Sequence, residues 1–187
     1  MTATLEQTTT TLAAEEAAAE LLRALGVVVD PQTPARMARA YAELLTSRPF
    51  QLTTFPNDEG YDELVLARDI PFRSLCEHHM LPFAGVAHVG YLPGERILGL
   101  SKLARVVEMV AAGPQVQERL TKQVAQWLHD RLAPRGVGVV VEAEHTCMTL
   151  RGVQATGSRT VTSTLLGALR RDPRSRAEFL ALTGVNR

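Results

Sequence analysis

Two short stretches of the sequence contain the side chains best suited to hold a metal ion. Cys76 and His79 have a C-x-x-H spacing, and Cys147 lies far downstream. Two thiolates and an imidazole suit zinc, and three protein ligands leave its fourth tetrahedral position open for water, which is the catalytic arrangement. His78 and His145 lie one and two residues from these ligands, where they could transfer protons. The spacing therefore predicts a catalytic zinc site.

The same residues allow other interpretations. Cys76 and Cys147 could be buried as small apolar side chains, or they could form a disulfide. A zinc-dependent nucleobase deaminase is a further alternative, but the sequence lacks the H-x-E and P-C-x-x-C signature of those enzymes. A structural zinc module would need a fourth protein ligand, and there is no third cysteine to supply one. Spacing alone leaves a metal-free interpretation open.

The composition is that of an ordinary globular protein. Of 187 residues, 45% are hydrophobic and 21% are charged, which is enough for one domain with a sizeable core. Twenty basic and twenty acidic residues cancel, so the net charge indicates neither nucleic acid nor a membrane surface as a partner. The N-terminus lacks the pattern of a secretion signal, and no apolar run approaches the roughly 20 residues that span a bilayer. We expect a cytoplasmic enzyme.

Strands are expected to lead into both parts of the metal motif. Alternating or β-branched segments predict strands at 62–72, 83–92, 136–143, 148–153 and 160–165. Helical periodicity predicts one helix capped by Ser101, another over 114–132 and a short one over 172–181. This order of elements predicts an α+β domain.

The N-terminal part has a different character. Residues 1–10 are threonine-rich and are expected to be disordered. Helices are expected at 12–25 and 33–46, followed by a proline-containing loop at 48–60. The sequence thus predicts a tail (1–10), a helical extension with its loop (11–60) and a main domain (61–187).

Cationic side chains on two helices could bind an anion. Lys102 and Arg105 share a face at the start of the helix that follows Gly99, where the helix dipole favours negative charge. Arg36 and Arg39 lie three residues apart on the second N-terminal helix. For this second pair, spacing alone indicates a solvated basic face at least as well as a binding site.

Four motifs occur in the order found in one known family. They are S-L-C-E-H-H at 74–79, G-L-S-K-L-A-R at 99–105, P-Q-V-Q-E-R-L at 114–120, and H-T-C at 145–147 with R-G at 151–152. On these motifs the chain resembles the GTP cyclohydrolase I family, over roughly residues 62–182. The resemblance implies a tunnelling fold, which is an antiparallel sheet with two long helices, preceded here by the N-terminal helices. It also implies a homo-oligomer, a decamer of two pentameric rings with active sites at subunit boundaries.

The resemblance also implies a role for each matching residue. Cys76, His79 and Cys147 match the zinc ligands, and His78 and His145 match the catalytic histidines. Gln117 and Glu118 match the pair that recognises guanine. The remaining substrate-binding positions, around the sugar and triphosphate, are Ser101, Lys102, Arg105 and Arg151, with Arg36 and Arg39 lent by a neighbouring subunit.

The implied reaction is the zinc-dependent hydrolytic opening of the guanine imidazole ring of GTP. It releases formate and gives 7,8-dihydroneopterin triphosphate, the first step of tetrahydrofolate and pterin biosynthesis. The alternative is a divergent tunnelling-fold relative that binds a purine or pterin in a specialised pathway without completing the reaction. Such a protein need not keep both His78 and His145, whereas this chain has both together with Glu118.

Overall fold

The structure is a computed structural model that describes the backbone of residues 2–185 and the side chains of residues 11–185. The chain forms two compact units, Met1–Thr46 and Ser47–Arg187. The predicted division at residues 10 and 60 stays a prediction. Over the described residues, no helix has both the length and the apolar character needed to cross a membrane.

The first unit consists of two helices, α1 (Thr2–Ala24) and α2 (Thr33–Leu45), that pack against each other. The alanine-, leucine- and glutamate-rich segment expected at 12–25 lies in α1, although the helix begins earlier, within the segment expected to be a disordered tail. α2 confirms the helix expected at 33–46, with a proline in its first turn. Ala18 and Ala38 are buried in this unit.

The second unit is built on a mixed five-stranded sheet. Its strands and the two strands of a separate small ladder are β1 (Thr54–Pro56), β2 (Val65–Cys76), β3 (Pro82–Leu92), β4 (Arg96–Leu98), β5 (Pro114–Gln115), β6 (Gly136–His145) and β7 (Thr160–Gly167). The sheet order is β5-β2-β3-β6-β7, and all neighbours are antiparallel except β5 and β2. β1 pairs with β4 outside this sheet. Long antiparallel ladders thus fix the register of β2, β3 and β6.

Up to residue 185, where the description of the chain ends, five helices complete the second unit, and two of them, α3 and α4, each bury an apolar stripe. They are α3 (Ser101–Ala111), α4 (Gln117–Leu132), α5 (Thr146–Thr149), α6 (Ala168–Arg171) and α7 (Pro173–Thr183). Leu103 and Val107 of α3, and Leu120 and Val124 of α4, are fully buried in one core with the strands. Their i, i+4 spacing is the apolar periodicity that predicted these helices. The α+β class is confirmed.

A second, smaller core lies around Phe179 of α7. The ring of Phe179 is fully buried and lies over Gly138 of β6 and Gly90 of β3. A Cβ added at Gly138 would lie 2.7 Å from the Phe179 ring, so only glycine allows this close approach. Asp172 caps α7 by accepting hydrogen bonds from the backbone N–H groups of Arg174 and Ser175. This cap confirms the helix start expected at 172.

Three sequence expectations about segments of the second unit are wrong. Residues 148–153 are not a strand, because β3 begins at Pro82 and offers β6 no ladder partner beyond His145; the chain turns into α5 instead. The loop expected at 48–60 contains the short strand β1. The helix expected from residue 114 begins at Gln117, because the two residues of β5 pair with the end of β2.

A β-bulge in β2 lies beside a buried histidine of β3. The ladder register shifts between Ala67 and Ile70, where Asp69 has a positive φ of 54°. The backbone N–H of Asp69 points to Nδ1 of His88 at 3.4 Å, and His88 is only 3% exposed. Burial lowers the pKa of His88, while the carboxylate of Asp69 acts in the opposite direction.

Candidate metal and catalytic site

The turn after β2 brings two of the predicted metal ligands together. The backbone N–H groups of His79 and Met80 both donate to the carbonyl of Cys76, so the chain curls back on itself at once. Met80 adopts a positive φ of 53° at this turn. As a result, the Sγ atom of Cys76 and the Nδ1 atom of His79 lie 3.8 Å apart.

The third predicted ligand, Cys147, follows the end of β6, which lies on the other side of β3 from β2. Phe83 of β3 pairs with His145 of β6, and the Thr146 hydroxyl donates to the carbonyl of Pro82 at 2.5 Å. These contacts fix the start of α5 and place Sγ of Cys147 3.8 Å from Sγ of Cys76. The expected cluster is therefore formed, although its members come from separate elements.

The geometry and chemistry of this cluster fit a zinc ion. The ligand atoms of Cys76, His79 and Cys147 all lie within 4.8 Å of one another, and both cysteines are free thiols. Sulfur ligands at 2.3 Å from a tetrahedral zinc ion would be about 3.8 Å apart, which matches the distance between the two Sγ atoms. Burial and the neighbouring Cys76 raise the pKa of the Cys147 thiol, so a cation would suit this pair of sulfurs. The two Sγ atoms are 3.8 Å apart, well beyond the roughly 2.05 Å of a disulfide bond.

Arg119 of α4 supports the turn that carries two of the predicted metal ligands. Its guanidinium forms an ion pair with Glu77 and donates to the carbonyl of Pro114 at 3.0 Å. The hydrogen bond from Arg119 lowers the pKa of Glu77. The backbone N–H of Glu77 in turn donates to the carbonyl of Gln115. The sequence assigned no role to Arg119, because a contact across 42 positions leaves no local signal.

His145 is held in place by a ring and by an amide. Its imidazole stacks on Phe83, with centroids 4.5 Å apart and planes 7° from parallel, and Nε2 lies 2.7 Å from Oε1 of Gln117. Burial lowers the pKa of His145, although Glu118 acts in the opposite direction. The imidazole is therefore favoured in its neutral form, in which it can accept a proton.

The side chain of Gln117 lies inside the protein. It is 2% exposed, and its Nε2 atom donates to the carbonyls of Thr160 (2.9 Å) and Val141 (3.1 Å). Thr162 Oγ1 is 3.2 Å from the same nitrogen. The carboxylate-bearing neighbour, Glu118, is exposed on the first turn of α4.

The other predicted site residues are spread over the surface of the second unit. His78 is exposed, and its ring centroid lies 6.4 Å from that of His79. Ser101 and Lys102 form the first turn of α3, where Nζ of Lys102 is 6.0 Å from the Phe50 ring. Arg105, also on α3, pairs with Glu108 at 3.0 Å, and Arg151 is exposed in the turn after α5.

The two remaining arginines belong to the first unit. Both are exposed on α2, and Arg36 donates to the side chain of Gln32 at 2.9 Å and lies 3.8 Å from Asp30. Arg39 lies one turn further along the same helix. Ser101, which was expected to cap α3, is instead its first residue, and Leu100 precedes it without a capping side-chain hydrogen bond.

Known proteins of one family match this chain over almost its whole length. A sequence model of GTP cyclohydrolase I matches residues 14–184. GTP cyclohydrolase 1 of Rhodopirellula baltica is 53% identical over 180 residues, covering 92% of this chain and 78% of the relative. The enzyme of Thermobifida fusca is 52% identical, with 90% and 86% covered, and that of Aquifex aeolicus is 52% identical, with 81% and 82% covered. With these matches and the predicted ligands assembled in one place, the chain belongs to the GTP cyclohydrolase I family and is an enzyme of that class.

Proposed function

We propose that this enzyme uses zinc to open the imidazole ring of GTP, releasing formate and giving 7,8-dihydroneopterin triphosphate for tetrahydrofolate or another pterin. The observation that carries the proposal is the cluster of Cys76, His79 and Cys147 within 4.8 Å, with the half-buried His145 two residues from one ligand. Zinc held there would supply Lewis acidity, making a hydroxide nucleophile available near neutral pH.

Two histidines would move protons in this reaction. We assign His78 to protonation of guanine N7, which makes C8 more open to attack, because its exposed ring is free to meet a substrate. We assign His145 to the later proton transfers, as the imidazole ring opens, formate leaves and the ribose rearranges. Its lowered pKa favours the neutral ring that a general base needs.

Recognition of GTP would combine one carboxylate with several cations. Glu118 can accept hydrogen bonds from N1 and the 2-amino group of guanine, a donor pair that adenine lacks. Lys102 and Arg105 lie on the first turns of α3, where helix polarity also favours an anion. The groups assigned to the sugar and triphosphate are Ser101, Lys102, Arg105 and Arg151, with Arg36 and Arg39 from a neighbouring subunit.

The enzyme would work as a homo-oligomer in the cytoplasm, with two pentameric rings forming a decamer of tunnelling-fold subunits. One feature that supports ring formation is the edge of the sheet. In the part of the chain that the structure describes, β7 pairs with β6 on one side only. The outer N–H and C=O groups of such a strand can pair with another chain.

The decisive experiment is an assay of the zinc-loaded protein with GTP. Formate release and a fluorescent neopterin product after oxidation should appear together in equal amounts. ATP is the matched control, because it carries the same triphosphate without the N1 and 2-amino donors. GTP binding without formate would contradict the proposal and favour the alternative, a divergent relative that binds a purine or pterin in a specialised pathway.

A further inference from the structure

The amide of Gln117 has only one chemically sensible orientation. One end of it faces two backbone carbonyls, those of Val141 and Thr160, at 3.1 and 2.9 Å. Carbonyl oxygens only accept hydrogen bonds, so the end that faces them must be the NH₂ group. Turning the amide over would bring its oxygen against two other oxygens in a site from which water is excluded.

A chain of hydroxyl groups supports this orientation. The Thr121 hydroxyl donates to the carbonyl of Gln117 at 2.8 Å, so its oxygen accepts from the Thr162 hydroxyl, which lies 2.6 Å away. The Thr162 oxygen then has a lone pair directed to the Gln117 NH₂ group, at 3.2 Å. Helix α4 and strands β6 and β7 therefore hold the amide together.

The fixed amide determines which nitrogen of His145 carries the proton. The Oε1 atom of Gln117 faces Nε2 of His145 at 2.7 Å, and an amide oxygen can only accept. A bare Nε2 would bring two lone pairs together, so the neutral imidazole must carry its hydrogen on Nε2. Nδ1 is then the basic nitrogen, and it has no hydrogen-bond partner among residues 11–185.

We infer that Gln117 is a positioning residue for proton transfer: it holds His145 as the Nε2–H tautomer and directs Nδ1 to the reacting groups. This inference rests on the proposed role of His145. It also changes the expected part of Gln117 in guanine recognition, because its side chain is only 2% exposed, its NH₂ group faces two backbone carbonyls and its Oε1 atom faces His145. The ring of Phe83 stacks on the imidazole and fixes its plane. The orientation of the His145 ring and its tautomer are therefore controlled by two different residues, Phe83 and Gln117.

The direct test is ¹⁵N NMR of the intact enzyme labelled at histidine, with the His145 signals assigned from their loss in His145→Ala. The wild type should show a proton on Nε2 of His145, exchanging slowly, and a bare Nδ1. Gln117→Met has a similar length without the amide, so the slowly exchanging Nε2 proton should be lost. Thr162→Val is the matched control, because both backbone carbonyls that orient the amide remain and the Nε2 proton should persist.

Kinetics provide the second readout. Gln117→Met should lower kcat by roughly tenfold or more, part of the ~10²–10⁴-fold that a general acid–base group contributes, while KM for GTP stays within about threefold. A proton on Nδ1 of His145 in the wild type would overturn the inference. So would a variant whose KM rises with kcat unchanged, since that result indicates direct contact with guanine. Because the NMR signal needs no turnover, an inactive wild type with the Nε2–H tautomer would refute the proposed function while the tautomer assignment still held, whereas an active wild type with a proton on Nδ1 would refute this inference alone.

Discussion

Phe83 and His145 are ladder partners whose rings stack with centroids 4.5 Å apart and planes 7° from parallel. Phe83 is fully buried, so it holds one face of the imidazole against the apolar core. His145 itself is only half-buried, so part of its side chain is accessible from solvent. A strand pair that builds the sheet thus also sets the plane of a proposed catalytic base.

Replacing Phe83 should damage catalysis as well as stability. Phe83→Leu removes the stacked ring and should lower the free energy of unfolding by about 1–3 kcal/mol. We expect kcat to fall further than this loss explains, with the zinc content unchanged. Phe72→Leu is the control, because its ring meets Phe83 edge-on at 5.9 Å in the same core. Equal kcat in both variants would contradict a role for the stack.

Cys147 should be required for metal and His78 should not. Cys147→Ser replaces a soft thiolate with a hydroxyl, so the zinc content per subunit of the purified protein should fall well below that of the wild type. His78→Ala should keep its zinc and lose roughly 10²–10⁴-fold in kcat. Metal analysis and GTP assays distinguish these outcomes. If His78→Ala lacked zinc and His79→Ala kept it, His78 would be the metal ligand and His79 the catalytic histidine.

Glu118 should determine the specificity of the site for guanine. Glu118→Gln replaces a charged acceptor with a neutral amide, and hydrogen bonds to charged groups contribute about 1.5–3 kcal/mol, so GTP binding should weaken by that amount. ITP lacks the 2-amino group, so the same substitution should cost ITP binding less. Calorimetric titration with both nucleotides measures the difference. Glu144→Gln, which removes another exposed carboxylate, should leave both affinities unchanged; a Glu118→Gln protein that binds GTP like the wild type would leave Glu118 as a helix-terminal charge.

Acid should destabilise the fold partly through His88. Because burial lowers its folded-state pKa, the unfolded chain binds more protons between that value and the ordinary pKa near 6.5. This contribution to stability is therefore complete above about pH 6.5 and is lost as the pH falls through the folded-state value. Denaturant unfolding between about pH 8 and pH 5 should show a shallower decline for His88→Gln. Part of the decline should remain, because burial lowers the pKa of His145 as well; identical slopes would remove His88 from the explanation.

Shared active sites should allow two inactive variants to restore each other. The Arg36→Ala/Arg39→Ala protein lacks the cations that we assign to a neighbouring site, and Cys76→Ser lacks an intact zinc centre. Mixed oligomers should contain some sites with both, so formate release should partly return after subunit exchange. Exchange is verified by native mass spectrometry. No recovery despite confirmed exchange would favour a solvated basic face for this pair.

The clustering of the predicted metal ligands is the part of the site that sequence spacing could anticipate. Cys76 and His79 are close in sequence, and the structure brings their ligand atoms within 4.8 Å of that of Cys147. Their role in binding zinc stays a prediction. The internal position of Gln117 could not be predicted. Its role depends on carbonyls of two strands that are 24 and 43 positions away, and its neighbour Glu118 has the same local pattern but faces out.

Errors in the fold arose where pairing, and not residue preference, decides the conformation. Residues 148–153 contain strand-forming side chains, yet β3 extends no further than Pro82, so no partner remains for them. The two residues of β5 are extended for the opposite reason, because the end of β2 supplies a partner. The long helices and strands were predicted well because their burial follows their own periodicity.

The ring of Phe179 packs on the backbone of Gly90 and Gly138, which together form a floor beneath it. This packing has a consequence for truncated or tagged forms of the protein. The floor has no side chains of its own, so a truncation before Phe179 would uncover a bare strip between β3 and β6. Such a strip, beside the buried Val140 and Leu169, would attract apolar segments of other chains and promote aggregation. Affinity tags and spectroscopic labels should therefore be separated from α7 by a flexible spacer.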